Sequence, residues 1–270
     1  METMSIVNET LKRITVNPTE MCSRKCPFCP RHDSSVYPNR KLHMSIITAR
    51  KMSVDMRDIK FTGEFYVTGF GEPLLHPDIG RIFEIVTSIN KVKAAVIVTN
   101  GDFLTTTTVK RLRDSGVTKI VVSMYDGSHQ KDKFKRVIGD VLPYDLRERY
   151  YSIGSEKNYG IENINNRSGL VKSRQIEKQY NEVCYLPFNK CQIDWNGDVL
   201  LCDQDWGRNG MIGNIHETSI EEVWMSDEMK RYRQNLINSN RSLSPCSKCD
   251  VNGKVYGKES FERLRHYYEA

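Results

Sequence analysis

Residues 14–29 read Ile14-Thr-Val-Asn-Pro-Thr-Glu-Met-Cys22-Ser-Arg-Lys-Cys26-Pro-Phe-Cys29, a short β-like run that leads directly into three cysteines spaced C-x3-C-x2-C. Three thiolates on one tight loop can hold three irons of a cubane cluster and leave the fourth iron open to a chelating small molecule. Read alone, the spacing suits a zinc knuckle short of its fourth ligand equally well, because both kinds of site are rich in thiolate. The run Ile14–Asn17 is the first of five strand candidates, followed by Glu64–Thr68, Ala94–Thr99, Lys119–Ser123 and Arg147–Ile153. Between them lie helical patterns near Ile46–Asp55, Asp78–Ile89, Thr106–Ser115 and Lys131–Ile138. Val109 and Leu112 supply the apolar face of the third helix, and Gly116 a plausible C-cap. Such alternation predicts βαβ units and a parallel sheet, here an α/β partial parallel (β/α) barrel of about five strands and four helices. In folds of this kind the loops after the strands carry the chemistry, which is where the first cysteines stand.

Beyond Ile153 the texture turns to Gly, Asn and Ser (Gly154, Asn158, Gly160, Asn163, Asn165, Asn166, Ser168, Gly169) and reads as loop. From about Cys184 a compact segment follows. Gln192–Asp194 and Val199–Leu201 flank Trp195-Asn196-Gly197-Asp198, a hairpin signal, since Asn-Gly tolerates positive φ at both positions. Ile220–Ile237 and Glu259–Tyr268 have helical patterns. The expected division is residues 1–165 as the partial barrel and 166–270 as a small α+β module.

Eight cysteines stand at 22, 26, 29, 184, 191, 202, 246 and 249. No export signal is visible at the N-terminus, so a cytoplasmic location is expected. There the thiols stay reduced, which favours metal ligation over a disulfide framework. The two widely separated groups imply two sites. Forty Lys and Arg against 34 Asp and Glu give a net charge of +6. The densest basic run, Lys131 to Arg136, has only Phe134 interleaved, so a solvated surface is expected and no nucleic acid. The longest apolar stretches, such as Ala94–Val98, are far too short to span a bilayer, so no membrane partner is expected.

The C-x3-C-x2-C loop after a first strand resembles that of the radical S-adenosylmethionine (SAM) superfamily, and three further motifs follow in the expected order. Gly69-Phe70-Gly71-Glu72-Pro73, after the second strand, is similar to the family's GGEP-type motif, which holds the SAM amino group. Thr99-Asn100-Gly101 after the third strand and Ser123 at the end of the fourth resemble positions that contact the ribose and carboxylate of SAM. Phe28 matches the aromatic residue whose backbone meets the adenine. The resemblance implies Cys22, Cys26 and Cys29 as ligands of a [4Fe–4S] cluster, and SAM contacts from Phe28, Gly69, Gly71, Glu72, Asn100 and Ser123. It also implies cleavage of SAM to methionine and a 5′-deoxyadenosyl radical, with the cofactor supplying the radical chemistry and the protein the positioning.

Twelve residues separate Cys184 from Gly197 and four more precede Cys202; Cys246-Ser-Lys-Cys249 follows after a gap of 43. Taken by itself this set suits either a four-cysteine zinc site or a cubane cluster. It resembles the SPASM and twitch modules that follow radical SAM domains. Since no cysteine follows Cys249, the twitch type is the better match, with a second [4Fe–4S] cluster on Cys184, Cys202, Cys246 and Cys249. Cys191 falls outside the spacing and is expected to be a small buried hydrophobe. Arg167 matches an arginine near the substrate in twitch-type 2-deoxy-scyllo-inosamine dehydrogenases, where a guanidinium can orient a hydroxyl and stabilise a developing alkoxide. A surface arginine closing a loop is the plainer alternative. Asp203, Gln204 and Asp205 follow a proposed ligand and face either the same cavity or solvent.

These resemblances imply a SAM-dependent radical oxidoreductase acting on a small polar substrate, an alcohol of a sugar or aminocyclitol, supplied with electrons by a reductase or a flavodoxin- or ferredoxin-type donor. The alternatives are a radical SAM epimerase, a peptide-modifying maturase and, from another class, a non-catalytic zinc-binding interaction protein.

Overall fold

The computed structural model describes residues 2–149, 165–171 and 180–269. Its strands are β1 (Arg13–Val16), β2 (Glu64–Val67), β3 (Ala94–Thr99), β4 (Lys119–Met124), β5 (Tyr144–Glu148), β6 (Lys190–Ile193), β7 (Asp198–Leu200) and β8 (Met211–Asn214). The first five helices are α1 (Glu2–Thr10), α2 (Ile46–Asp58), α3 (Ile79–Ile89), α4 (Thr106–Asp114) and α5 (Gln130–Ile138). They are followed by α6 (Leu186–Asn189), α7 (Ile220–Met225), α8 (Asp227–Ile237) and α9 (Lys258–Glu269).

All eight strands belong to one sheet, in the order β5-β4-β3-β2-β1-β6-β7-β8. Strands β1 to β5 pair in parallel, and a helix lies between each strand and the next, so all five run in the same direction. Successive strand side chains point to opposite faces. Ile14, Val16, Phe65, Val67, Ala95, Ile97, Ile120 and Val122 therefore enter the core, against Met52 and Met56 of α2, Phe83 and Val86 of α3, and Phe134 of α5. Residues of opposite parity near the strand ends, Val98 and Ser123, are left to line a cavity.

The mixed α/β architecture agrees with expectation, and the second half adds something spacing alone does not reveal. Strand β6 pairs in parallel with β1, Ile14 opposite Cys191 and Val16 opposite Ile193, before turning into the antiparallel β6-β7-β8 ribbon. The C-terminal segment thus extends the sheet of the N-terminal one. Cys191, on β6, is only 2% exposed within the core. The fifth strand starts earlier than the expected Arg147. Residues 150–153 of that expected strand, and the expected loop up to 164, lie outside the described residues. The expected helix Ile220–Ile237 is two helices, because Ser226 leaves helical geometry and its side chain accepts the N–H of Met229 to start α8. Helix α1, missed in its polar sequence, packs against α9 and α7. There Thr10 accepts from Trp224 Nε1 through its hydroxyl and from Ser260 Oγ through its carbonyl. Among the described residues no helix is long and apolar enough to cross a membrane.

One polar network fastens the two halves where β1 and β6 end. Asn17 Nδ2 donates to Asp194 Oδ1 at 2.6 Å, while Asn17 Oδ1 accepts from the N–H of Phe70. Asp194 Oδ2 accepts from Arg208 Nε at 2.6 Å, and the same guanidinium reaches Glu20, just before the cysteines, and Tyr37, in the loop that follows them. Asp194 is wholly buried. Removing one member of such a set strands its partners, so Asp194→Ala is expected to lower the free energy of unfolding by about 3 kcal/mol, read by urea titration.

Candidate active site

The loop from Met21 to Asn39 is pinned at three places. Cys29 and Cys26 share a turn, the N–H of Cys29 donating to the carbonyl of Cys26 at 3.0 Å, and Pro30–His32 continues it as a short 3-10 turn. Arg24, in the x3 segment, forks onto Asp102 beyond β3 and Asp126 beyond β4; its Nη2 lies 2.5 Å from Asp102 Oδ1 and its Nη1 2.6 Å from Asp126 Oδ1. Its hydrogen bonds hold the Asp126 carboxyl below the ordinary range. The buried Arg31 donates Nε to the carbonyl of Phe70, shares Asn39 Oδ1 with the N–H of Cys22, and lies 4.8 Å from the Tyr37 ring.

The three thiols open on one cavity. Phe28, Gly69, Gly71, Glu72, Asn100 and Ser123, predicted from separate motifs, all line it. Two glycines shape its floor. Gly69 takes φ +139°, and a Cβ on Gly71 would stand 2.1 Å from the carbonyl oxygen of Thr19. Glu72 uses its carboxylate inside the protein: Oε1 accepts from Thr99 Oγ1 at 2.6 Å and from the N–H of Leu74, and Oε2 from the N–H of Asn100 at 2.8 Å. It ties the loop after β2 to the end of β3. Burial pushes its pKa up to about 7, against the pull of those hydrogen bonds.

Cys184, Cys202, Cys246 and Cys249 line a second cavity of about 340 Å³, with Ser168, Gln204 and Arg241 on its wall. Cys202 follows β7, and Cys246 and Cys249 bracket a 3-10 turn. The buried guanidinium of Arg241 donates to the carbonyls of Glu182, Val183, Val251 and Asn252, bracing the segment that carries Cys184 against the one that follows Cys249. Cys191 lies outside this cavity.

The donor sets fit iron–sulfur clusters. Three thiols on one cavity suit a cubane with one free iron, and four on the other suit a fully ligated cubane. Among the described residues no His, Cys, Asp or Glu group is gathered closely enough to hold a single metal ion. Burial pushes the pKa values of Cys26 and Cys246 up to about 12 and that of Cys249 to about 11, so these thiols are protonated without metal and ligation releases protons.

Arg167 sits between the two sites. It lines the first cavity, and its Nη1 donates to Gln204 Oε1 at 3.1 Å, while Gln204 lines the second. Gln204 Nε2 donates to Asp203 Oδ1, and Asp203 Oδ2 accepts from the buried Lys190 Nζ at 2.5 Å. Of the residues after Cys202, expected to face either this cavity or solvent, Gln204 lines the cavity. Sequence reading missed Arg24, Arg31 and Trp206. Trp206 packs 4.7 Å from Phe70 and 5.2 Å from Tyr37, with the Arg167 guanidinium 5.7 Å away. The sequence carried no signal for them, because each partner lies on another element.

The model of the radical SAM superfamily matches residues 16–171, more than half of the chain, and that of the SPASM iron–sulfur cluster-binding domain matches residues 184–250. The chain belongs to the radical SAM superfamily. It is 25% identical, over 95% of its own length and 99% of the relative's, to the S-adenosyl-L-methionine-dependent 2-deoxy-scyllo-inosamine dehydrogenase of Niallia circulans. A GTP 3′,8-cyclase of Saccharophagus degradans is 24% identical, over 87% of this chain and 66% of the cyclase. In fold, the chain is similar to BtrN in complex with AdoMet and 2-DOIA, with a TM-score of 0.74, 23% identity, and 91% and 95% of the two chains covered. It is also similar to anSMEcpe with bound AdoMet, with a TM-score of 0.59, 11% identity, and 95% and 96% covered. SAM and two [4Fe–4S] clusters are its cofactors.

The raised pKa of Glu72 gives a test of the buried carboxyl. Between about 4.3, the ordinary glutamate value, and about 7 the folded chain keeps a proton that the unfolded chain has lost. The resulting stabilisation is complete below that window and is lost as pH rises through it. Urea unfolding across this range should show the fall in the parent protein, and Glu72→Gln should remove that component.

Proposed function

We propose that this chain is a radical SAM dehydrogenase that oxidises an alcohol carbon of a small polar substrate of the sugar or aminocyclitol class. The carrying observation is the adjacency of the two cavities, joined through the Arg167–Gln204 hydrogen bond. The printed activity of the Niallia circulans relative supports the same reading.

In this reading residues 1–165 hold SAM and the first cluster, and residues 166–270 hold the second. Cys22, Cys26 and Cys29 ligate the first cluster; Cys184, Cys202, Cys246 and Cys249 ligate the second. When bound, these groups supply a 5′-deoxyadenosyl radical and a one-electron acceptor. The chain's own residues do the rest. The floor formed by Gly69, Gly71 and Asn100 receives SAM beside Phe28 and Ser123, with Glu72 keeping the floor in shape. The aromatic wall of Phe70 and Trp206 excludes water on the side facing Arg167. The Arg167 guanidinium orients the substrate hydroxyl and stabilises the alkoxide as the proton leaves. Removal of one hydrogen atom, one proton and one electron turns the carbinol into a carbonyl. A reductase or a flavodoxin- or ferredoxin-type protein supplies the electron for SAM cleavage, and the chain works in the cytoplasm.

Substrate deuterated at the carbinol carbon should pass its label to 5′-deoxyadenosine as the oxidised product forms. Unlabelled 5′-deoxyadenosine, or labelled 5′-deoxyadenosine with a redox-neutral product, would contradict the proposal, the latter in favour of epimerisation. Two cubanes mean about eight irons per chain, so replacing Cys22, Cys26 and Cys29 together by Ala should remove about half the iron and abolish SAM cleavage. Cys191→Ser should keep the full iron content, whereas Cys249→Ser should lose the second cluster.

A further inference from the structure

Residues 166–169 pass between the two cavities as a left-handed turn. Arg167, Ser168 and Gly169 have φ values of 51°, 52° and 88°, and for the first two this is a conformation that a Cβ disfavours. Backbone held in such a region persists only where its surroundings impose it. Here the surroundings are the second cluster's own loop. The N–H of Asn166 donates to both carboxylate oxygens of Asp250 at 2.9 Å, and Asn166 Nδ2 donates to the carbonyl of Lys248 at 2.9 Å. The C-x2-C segment thus clamps the turn. As a result Arg167 faces the first cavity while its neighbour Ser168 faces the second.

Ser168 is only 8% exposed, and its Oγ is buried with no hydrogen-bond partner among the described residues. A buried hydroxyl left unpaired is costly, and native structures almost always satisfy it with protein, water or a bound group. Ser168 is one of the residues that line the cavity of the four cysteines. Other polar groups on that wall are engaged: Gln204 Nε2 with Asp203, and Arg241 with four backbone carbonyls.

We infer that Ser168 Oγ–H donates a hydrogen bond to a sulfur of the second [4Fe–4S] cluster and thereby sets its reduction potential. A donor aimed at cluster sulfur stabilises the more negative, reduced form and moves the potential upward. The inference rests on the proposed function in one respect: there the cluster takes the electron that the substrate radical gives up as its hydroxyl proton leaves. Ser168 is then a residue that tunes the acceptor, fixed by the same turn that aims Arg167 at the substrate.

The test is an EPR-monitored redox titration of the reconstituted full-length protein without SAM or substrate, comparing the parent with Ser168→Ala and Ser168→Gly. Both variants remove the hydroxyl, and glycine also relieves the left-handed backbone, so a shift common to both isolates the hydrogen bond. The second cluster should titrate at a more negative potential in both, while the first cluster and the iron content stay unchanged. Pulsed EPR in D2O should find an exchangeable deuteron coupled to the parent's second cluster and missing from both variants. Parent-like potentials with the deuteron signal retained, or equal shifts of both clusters, would overturn the inference. The titration uses no substrate, so a redox-neutral product in the deuterium-transfer assay would sink the proposed function and leave this result standing.

Discussion

The parallel pairing of β1 with β6 is the constraint on which both cavities depend. Strand β1 ends at the loop that carries Cys22, Cys26 and Cys29, and β6 opens the hairpin that carries Cys202. The register of Val16 against Ile193 sets those two ends side by side. Asn17, one residue past β1, bonds to a neighbour on each flank, Asp194 beyond β6 and Phe70 beyond β2. A slip of one residue would turn Cys191 out of the apolar core and present the polar Gln192 to it, on a strand buried along its whole length. The backbone ladder and the polar cap at its end therefore specify the same alignment.

Charge is handled differently at the two ends of this arrangement. Around the first cavity, Arg24 is neutralised by two aspartates, while Arg31 and Arg167 each keep one buried guanidinium nitrogen without a partner among the described residues. Around the second, Arg241 is satisfied by carbonyls, which have no full charge of their own. Buried cations of this kind are tolerable where anionic groups come to meet them, and thiolate-ligated clusters and the SAM carboxylate are such groups. The thiols, held neutral by burial in the bare chain, become anionic only on ligation, so cofactor binding and local charge balance arrive together.

The segment from Asn165 to Val171 shows how the halves constrain each other. Its local sequence, rich in Asn, Ser and Gly, favours a turn but not this one. The Asp250 carboxylate and the Lys248 carbonyl select it, and both belong to the loop that carries Cys246 and Cys249. Gln204 then takes up Arg167 from the far side. The orientation of a residue aimed at the first cavity is thus decided by groups belonging to the second.

Much of this was legible in the chain itself. Period-two runs alternating with 3.6-residue periodicity were enough for five parallel strands and four helices, because the pattern records which face of each element is buried. Cysteine spacing pointed to two thiolate groups, and the resemblance to the radical SAM superfamily pointed to the residues that line the first cavity. These are local signals, since a ligand loop or tight turn needs particular residues close together in sequence. Tertiary structure decided the rest. That β6 joins β1, that Arg24 reaches aspartates on two other strand ends, and that Trp206 closes the first cavity all depend on partners far away in sequence. The opposite facing of Arg167 and Ser168 belongs with them, because a backbone can be held against its own preference only by contacts that the fold brings from elsewhere.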